Sequence, residues 1–302
     1  MTSQKRRVLN WFERKTFATD TIYFCDALVE AACSALGLSA LDAESLTEGA
    51  ASRFWNYFLR KIDEDRRRGL NSLFEVSEPS AMKFRWTPQT YLRSTVQKTR
   101  SQGFKLRARP QILAMIDQLD FRQYEALGSV ISTLAGAKRT KLTPRGNEGG
   151  VDFFALIEMP ARCHLFSGAT GPLRLIGQCK KHTVRLDVGK IRDFITTIDN
   201  IRKRQPDVES HVPTWFRSTR GPIVGWIVAH EGFQNGAERA ARDHGIVLAD
   251  SLDLAEIAAL SRITNVWETP ESRLCRIFSM IEIALTDADG LMQSTGDEVK
   301  TW

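Results

Sequence analysis

Gly149-Gly150-Val151-Asp152 opens a strand-like run that reaches Ile157, and a second run, Leu173 to Cys179, carries Gln178 and leads into Lys180. Side chains alternate across a strand, so Gln178 and Lys180 share one face while Gly177 and Cys179 share the other. The same alternation groups Asp152 with Phe154 and Leu156. Paired side by side, the two runs bring Asp152 to within a few ångströms of Gln178 and Lys180. A carboxylate, an amide oxygen and an ammonium in that arrangement suit a hydrated divalent cation held against a phosphate. Mg²⁺ takes oxygen ligands, usually one or two from protein, with water and phosphate completing its shell.

Outward from these runs the pattern is α/β. On the N-terminal side, Asp120 reads as a helix cap with Gln123 three residues on, a capping box. The helix it opens carries Phe121, Tyr124, Leu127, Ile131 and Leu134 at three-to-four spacing and ends near Gly136. On the C-terminal side, Val188 to Arg204 is helical, with Ile191, Phe194, Ile195, Ile198 and Ile201 on one face. Pro222 to Ala229 is a continuous apolar run, as in a buried strand. A polar helix (Gln234 to His244), a buried strand (Ile246 to Ala249) and a helix (Asp253 to Leu260) follow. Thr269-Pro270 starts a last helix that runs to about Leu285, with proline in its preferred first turn. Strands alternating with helices predict a largely buried sheet covered by helices.

The first hundred residues read as mostly helical. Ile22 to Leu36 has helical spacing with Gly37 as its stop, and a longer helix spans Asp42 to Arg68. Phe54, Trp55, Phe58, Leu59 and Ile62 form the apolar stripe of that helix, and Ser77 to Pro88 reads as a loop. The expected organisation is a helical N-terminal domain over 1–105, with a regulatory, partner-binding or DNA-binding role, an α/β domain over 106–262, and a C-terminal helix and tail over 263–302. At 302 residues the chain has room for two ordinary domains.

Charge points to a polyanion. The net charge is only +6, but Lys98 to Arg145 holds ten Lys/Arg against three Asp/Glu. Five cysteines, odd in number and scattered, suit reduced thiols in a cytoplasmic protein. No apolar run approaches the roughly 18 residues of a membrane span. The basic start, Met1 to Lys15, lacks the apolar core of a secretory signal. Cys163-His164 with Cys179 and His182 fits no standard zinc spacing.

Glu125 in Phe121-Arg122-Gln123-Tyr124-Glu125-Ala126, then Gly150-Val151-Asp152, then Gln178-Cys179-Lys180, resembles the catalytic domain of Mrr-type restriction endonucleases. These form a branch of the PD-(D/E)xK nucleases in which Gln often replaces the second acid. The run Ile246 to Asp250 leading into Leu252 to Leu260 is similar to that domain's closing strand and helix, so the resemblance covers roughly 108–262. Departures are Glu148-Gly149-Gly150 at the turn and a long Gly-containing stretch, Pro160 to Pro172, between the two runs.

The resemblance implies a restriction-endonuclease-like mixed sheet flanked by helices and Mg²⁺-dependent cleavage of DNA, with Mn²⁺ as a substitute. It implies metal ligation by Asp152, Gln178 and the Cys179 backbone carbonyl, a catalytic Lys180, and Glu125 as the helical carboxylate. It further implies defence against foreign DNA. Contacts to the DNA backbone are expected from Lys138, Arg139, Lys141, Arg145, Lys181 and Lys190. Two other readings stand beside it. One is a catalytically inactive DNA-binding module. The other is a regulated effector that self-associates, or docks a partner protein, through its N-terminal helices.

Overall fold

The computed structural model describes residues 3–18, 21–146, 149–158, 172–206, 211–261 and 268–293. Expectations that fell on Glu148, on Cys163-His164 and on most of Pro160 to Pro172 lie outside them. The chain divides into two units, Met1–Ala114 with Thr264–Arg273, and Met115–Ile263 with Leu274–Trp302.

In the first unit, Ser39 caps the long helix Ala40–Arg67 by accepting the Asp42 N–H at 3.2 Å. Gly37, at φ +74°, closes the preceding helical stretch from Phe24 to Leu36. Ser77 to Pro88 is not the loop that its polar and proline residues suggested. It holds most of a hairpin, β2 (Phe74–Glu78) and β3 (Lys83–Trp86), which with β1 (Thr21–Tyr23) forms an antiparallel sheet in the order β1-β3-β2. The driving force is period-two burial: Phe84 and Trp86 turn inward while Arg85 between them stays exposed.

The core of this unit is aromatic. Phe12 stacks on Phe24 at 5.5 Å between ring centroids, and Phe58 meets Phe84 at 4.9 Å and Phe74 at 5.1 Å. Phe54, Trp55 and Phe58 are all buried. The stripe therefore builds this core and is not a surface on which a partner could dock.

Beside the rings lies a buried ionic network. Glu13 accepts from Lys61 at 3.0 Å and from Arg109 at 2.9 Å, and Lys61 also reaches Asp65 at 2.5 Å. Burial opposes charge on Glu13, but Lys61 and Arg109 outweigh it and lower its pKa to about 2. Asp65 goes the other way, to about 6, through burial and the neighbouring Glu13 charge.

The second unit is α/β. Five strands, β4 (Ala137–Leu142), β5 (Phe153–Ile157), β6 (Leu173–Lys180), β7 (Ile223–Ala229) and β8 (Val247–Asp250), lie in that order. β4, β5 and β6 are antiparallel, and β6, β7 and β8 are parallel, so the sheet is mixed. Helices flank it, and a mostly helical region precedes it. Helix Phe121–Leu134 is capped by the anticipated Asp120–Gln123 box, although Phe121 itself is exposed. The far face packs Ile191, Phe194 and Ile198 of helix Val188–Arg202 against Phe154, Ile176 and Ile227. The last helix runs Pro270–Gln293, two turns past its expected end.

β4 was not anticipated. Its sequence, Ala-Lys-Arg-Thr-Lys-Leu, has no apolar alternation, as suits a charged edge strand. Register at the centre is locked by Gly177, opposite Phe153: a Cβ there would lie 2.0 Å from the phenyl ring.

Replacing Arg109 by Met should destabilise the protein by about 3–5 kcal/mol, because it leaves Glu13 buried with half its counter-charge. Urea denaturation measures this, and a loss below about 1 kcal/mol would show the network to be unimportant.

Candidate functional site

Asp152 sits one residue before β5, pinned on both sides. Its N–H donates to Gly177 O at 2.9 Å, and its carbonyl accepts the Thr143 N–H at 2.9 Å and the Thr143 hydroxyl at 2.9 Å. Its side chain then does the work of a ladder bond: Oδ2 accepts the Cys179 N–H at 2.6 Å. In an extended strand the N–H and C=O of one residue leave on the same side. The Cys179 carbonyl therefore points toward Asp152 as well.

Burial raises the Asp152 pKa to about 6. Lys180 and the Cys179 N–H lower it, Glu125 raises it, and Arg122 lowers it. Asp152, Lys180 and Glu125 thus share one electrostatic neighbourhood. Glu125 is half-buried and held by Arg122, whose two amino groups donate to Glu125 Oε2 at 2.9 Å and to Thr143 O at 2.7 Å. Arg122 was missed in the sequence, although its spacing from Glu125 is that of a helical ion pair.

Gln178 is buried, and its Nε2 donates to Gly150 O at 2.7 Å. A carbonyl only accepts, so this bond sets the amide orientation and turns Oε1 away from Gly150. The amide approaches Gly150 from the face of Thr197, on helix Val188–Arg202. Gln178 therefore supports the turn that delivers Asp152, and only its oxygen is left for another role. Cys179 projects its sulfur onto helix Phe121–Leu134, and burial with nearby Asp152 holds its thiol well above the usual range. Among the described residues, no three His, Cys, Asp or Glu side chains converge as a metal cage.

The expected backbone-contact lysines and arginines divide. Lys138, Arg139 and Lys141 lie on edge strand β4, with Lys138 at 2.5 Å from Glu158. Arg145 and Lys190 are exposed, the latter 3.8 Å from Asp193. Lys181 does not fit the expectation. Its ammonium donates to three main-chain carbonyls, Ile116 (3.4 Å), Asp117 (2.8 Å) and Leu119, at the end of helix Arg109–Gln118. Cations are favoured there, and this one is satisfied within the protein.

A second anchor works beside it. The His230 N–H donates to Lys180 O at 3.0 Å, and His230 Nε2 meets Asp117 Oδ1 at 3.0 Å. Glu231 lies 3.5 Å from Nδ1, and the Tyr124 ring packs edge-on at 5.9 Å. Asp117 and Glu231 raise the His230 pKa to about 9, against opposing burial. Lys181 and His230 together tie the end of β6, and so Lys180, to the helices around it.

No protein-family model and no curated protein matches this chain. Two solved structures share part of it. One is the MspJI restriction endonuclease in complex with a 27-mer oligonucleotide (19% identity, TM-score 0.36, 63% of this chain and 39% of that one). The other is the DNA modification-dependent restriction endonuclease AspBHI (14% identity, TM-score 0.39, 70% and 44%). The chain spans less than half the length of either. Likenesses this low carry no weight for the site, which rests on its own geometry.

Asp117→Asn should bring the His230 pKa from about 9 back toward 6.5. NMR titration of the ring measures it, and an unmoved midpoint would exclude Asp117 as the cause. The folded pKa lies above the unfolded one, so the His230 contribution to stability is complete below pH 6.5 and is lost as pH rises through about 9.

Proposed function

We propose that this chain is a metal-dependent DNA endonuclease with a restriction-endonuclease-like catalytic unit, hydrolysing phosphodiester bonds in defence against foreign DNA. The observation that carries the reading is the half-buried Asp152, fixed on the Cys179 N–H and electrostatically coupled to Lys180 and Glu125. A half-buried carboxylate with a raised pKa, held by a backbone N–H and flanked by the Lys180 and Glu125 charges, has the makings of a working site.

The donor set fits Mg²⁺, or Mn²⁺ in its place. Cys179 takes one Asp152 oxygen, leaving the other for a cation, with the Cys179 carbonyl on the same side and Gln178 Oε1 as a further neutral donor. These are hard oxygens and few, as Mg²⁺ favours. When bound, Mg²⁺ supplies Lewis acidity to a phosphoryl oxygen and lowers the pKa of a water. The residues supply the rest. Lys180 holds the scissile phosphate and offsets charge that grows on it during attack. Glu125, steadied by Arg122, adds a second carboxylate and keeps the Asp152 neighbourhood negative enough to favour a cation. Gln178 holds the Gly150 turn, so that Asp152 enters β5 in one register.

The two similar structures are restriction endonucleases by name, one of them determined with an oligonucleotide, which agrees with this reading without establishing it. Asp152→Asn and Lys180→Ala should each reduce Mg²⁺-dependent plasmid nicking by about 100-fold or more, with little change in melting temperature. Cleavage equal to wild type in Lys180→Ala would sink the assignment. Absence of cleavage by the wild-type protein, with DNA binding intact, would favour an inactive binding module.

A further inference from the structure

The topology of the first unit has a consequence for how DNA can approach it. In chain order it runs helix (Ser3–Arg14), β1, helix (Phe24 to Leu36), turn, helix (Ala40–Arg67), β2, β3, with sheet order β1-β3-β2. Two helices joined by the short turn Gly37-Leu38-Ser39 and followed by a hairpin have the chain order of a helix-turn-helix with a β wing. In such units the second helix enters the major groove and its N-terminal residues meet the bases.

Here that helix is built wrongly for the task. Its N-terminal half exposes Asp42, Glu44 and Glu48, and its first Lys or Arg is Arg53. Seating it in a groove would drive three carboxylates between two rows of phosphates, where like charge is repelled.

The positive charge lies further along the chain. Residues 79–116 contain eight Lys/Arg and no Asp or Glu. Residues 1–114 as a whole carry 19 Lys/Arg against 12 Asp/Glu, a net +7 in a chain of net +6. The remainder is therefore close to neutral, and the polyanion-attracting charge is concentrated outside the catalytic unit. Within 79–116, Lys83 pairs with Glu78 and Arg109 is buried on Glu13. Arg85 on β3, Arg93 and Lys98 are exposed, and Arg100 and Lys105 are half-buried. Four of these five belong to the helix pair Thr87–Leu92 and Gln97–Leu106 and the turn between them. That pair is held close by Gly103, where a Cβ would lie 2.8 Å from Tyr91 Cβ and 2.9 Å from Pro88 O. The charges are thus displayed on a fixed platform.

We infer that this unit grips the phosphate backbone of duplex DNA through the acid-free stretch, with Arg85, Lys98 and Arg100, and not through helix Ala40–Arg67. Contacts of this kind give affinity and position but read no sequence. The inference goes beyond the nuclease reading and is tested without cleavage.

The experiment measures anisotropy of a fluorescein-labelled DNA duplex with the full chain in EDTA, as salt is raised. The triple variant Arg85→Gln/Lys98→Gln/Arg100→Gln should bind about tenfold or more weakly, and its slope of log affinity against log salt should be shallower by about 2–3. Glu44→Gln/Glu48→Gln should bind as wild type. Circular dichroism melts of each variant confirm that it folds. Unchanged binding by the folded triple variant would overturn the inference. So would a severalfold gain from Glu44→Gln/Glu48→Gln, which would put the acidic helix against DNA. Tighter binding to phosphatidylserine vesicles than to the duplex would overturn it in favour of a membrane surface.

Discussion

The hydrogen bond from the Cys179 N–H to Asp152 Oδ2 holds the candidate-site end of the sheet in its present form. β5 begins at Phe153, opposite Gly177, and the Val151 carbonyl that would lie opposite Cys179 accepts from the Thr143 hydroxyl instead, so the Asp152 carboxylate takes the Cys179 N–H. This ends the ladder without leaving a buried donor unpaired, which would cost on the order of 1–3 kcal/mol. It also draws a carboxylate into a half-buried position, where desolvation raises its pKa to about 6. Lys180, a cation bound nearby, or both can offset this. The need for positive charge is thus built into the strand pairing.

Register is what keeps this bond available. A slip of one residue between β5 and β6 would send Asp152 away from Cys179 and turn the alternate side chains to the wrong faces. The close seat of Phe153 over Gly177 leaves no room for such a slip, since any other residue at Gly177 would collide with the ring. Alternation then separates the roles of adjacent residues. Cys179 sends its sulfur toward helix Phe121–Leu134, and Lys181 spends its ammonium on the carbonyls at the end of helix Arg109–Gln118. Lys180, between them, is the one left at the site.

The first unit is organised by a different constraint. Its rings fill the core so completely that Phe54, Trp55 and Phe58 are unavailable to partners, and its buried acids and bases neutralise one another in the Glu13, Lys61, Asp65 and Arg109 network. The surviving surface charges are sorted along the chain, acidic on the first half of helix Ala40–Arg67 and basic after residue 79.

Much of the second unit could be read from the chain because its signals are local. The Asp120–Gln123 box, the apolar spacing of Ile191, Phe194 and Ile198, and the continuous run ending at Ala229 each arise within a few residues, and the helices and strands they promise are present. Glu125, Asp152, Gln178 and Lys180 were likewise visible as residue types at fixed spacing. Other features were visible only weakly. Lys83-Phe84-Arg85-Trp86 alternates, but four residues are too few to outweigh the nearby proline and serines. β4 has no alternation at all, because an edge strand with charged side chains is specified by its neighbour and not by its own pattern. Sequence by itself determined the capped helices and apolar strands of the second unit and the residue types Glu125, Asp152, Gln178 and Lys180 that they carry, since these depend on short-range periodicity and capping. Tertiary structure alone decided that Asp152 completes the β6 ladder, that Gln178 serves the Gly150 turn, and that Lys181 is held inside. Those outcomes depend on which backbone donors and carbonyls come to lie opposite one another, and that is settled only when segments distant in the chain are packed together.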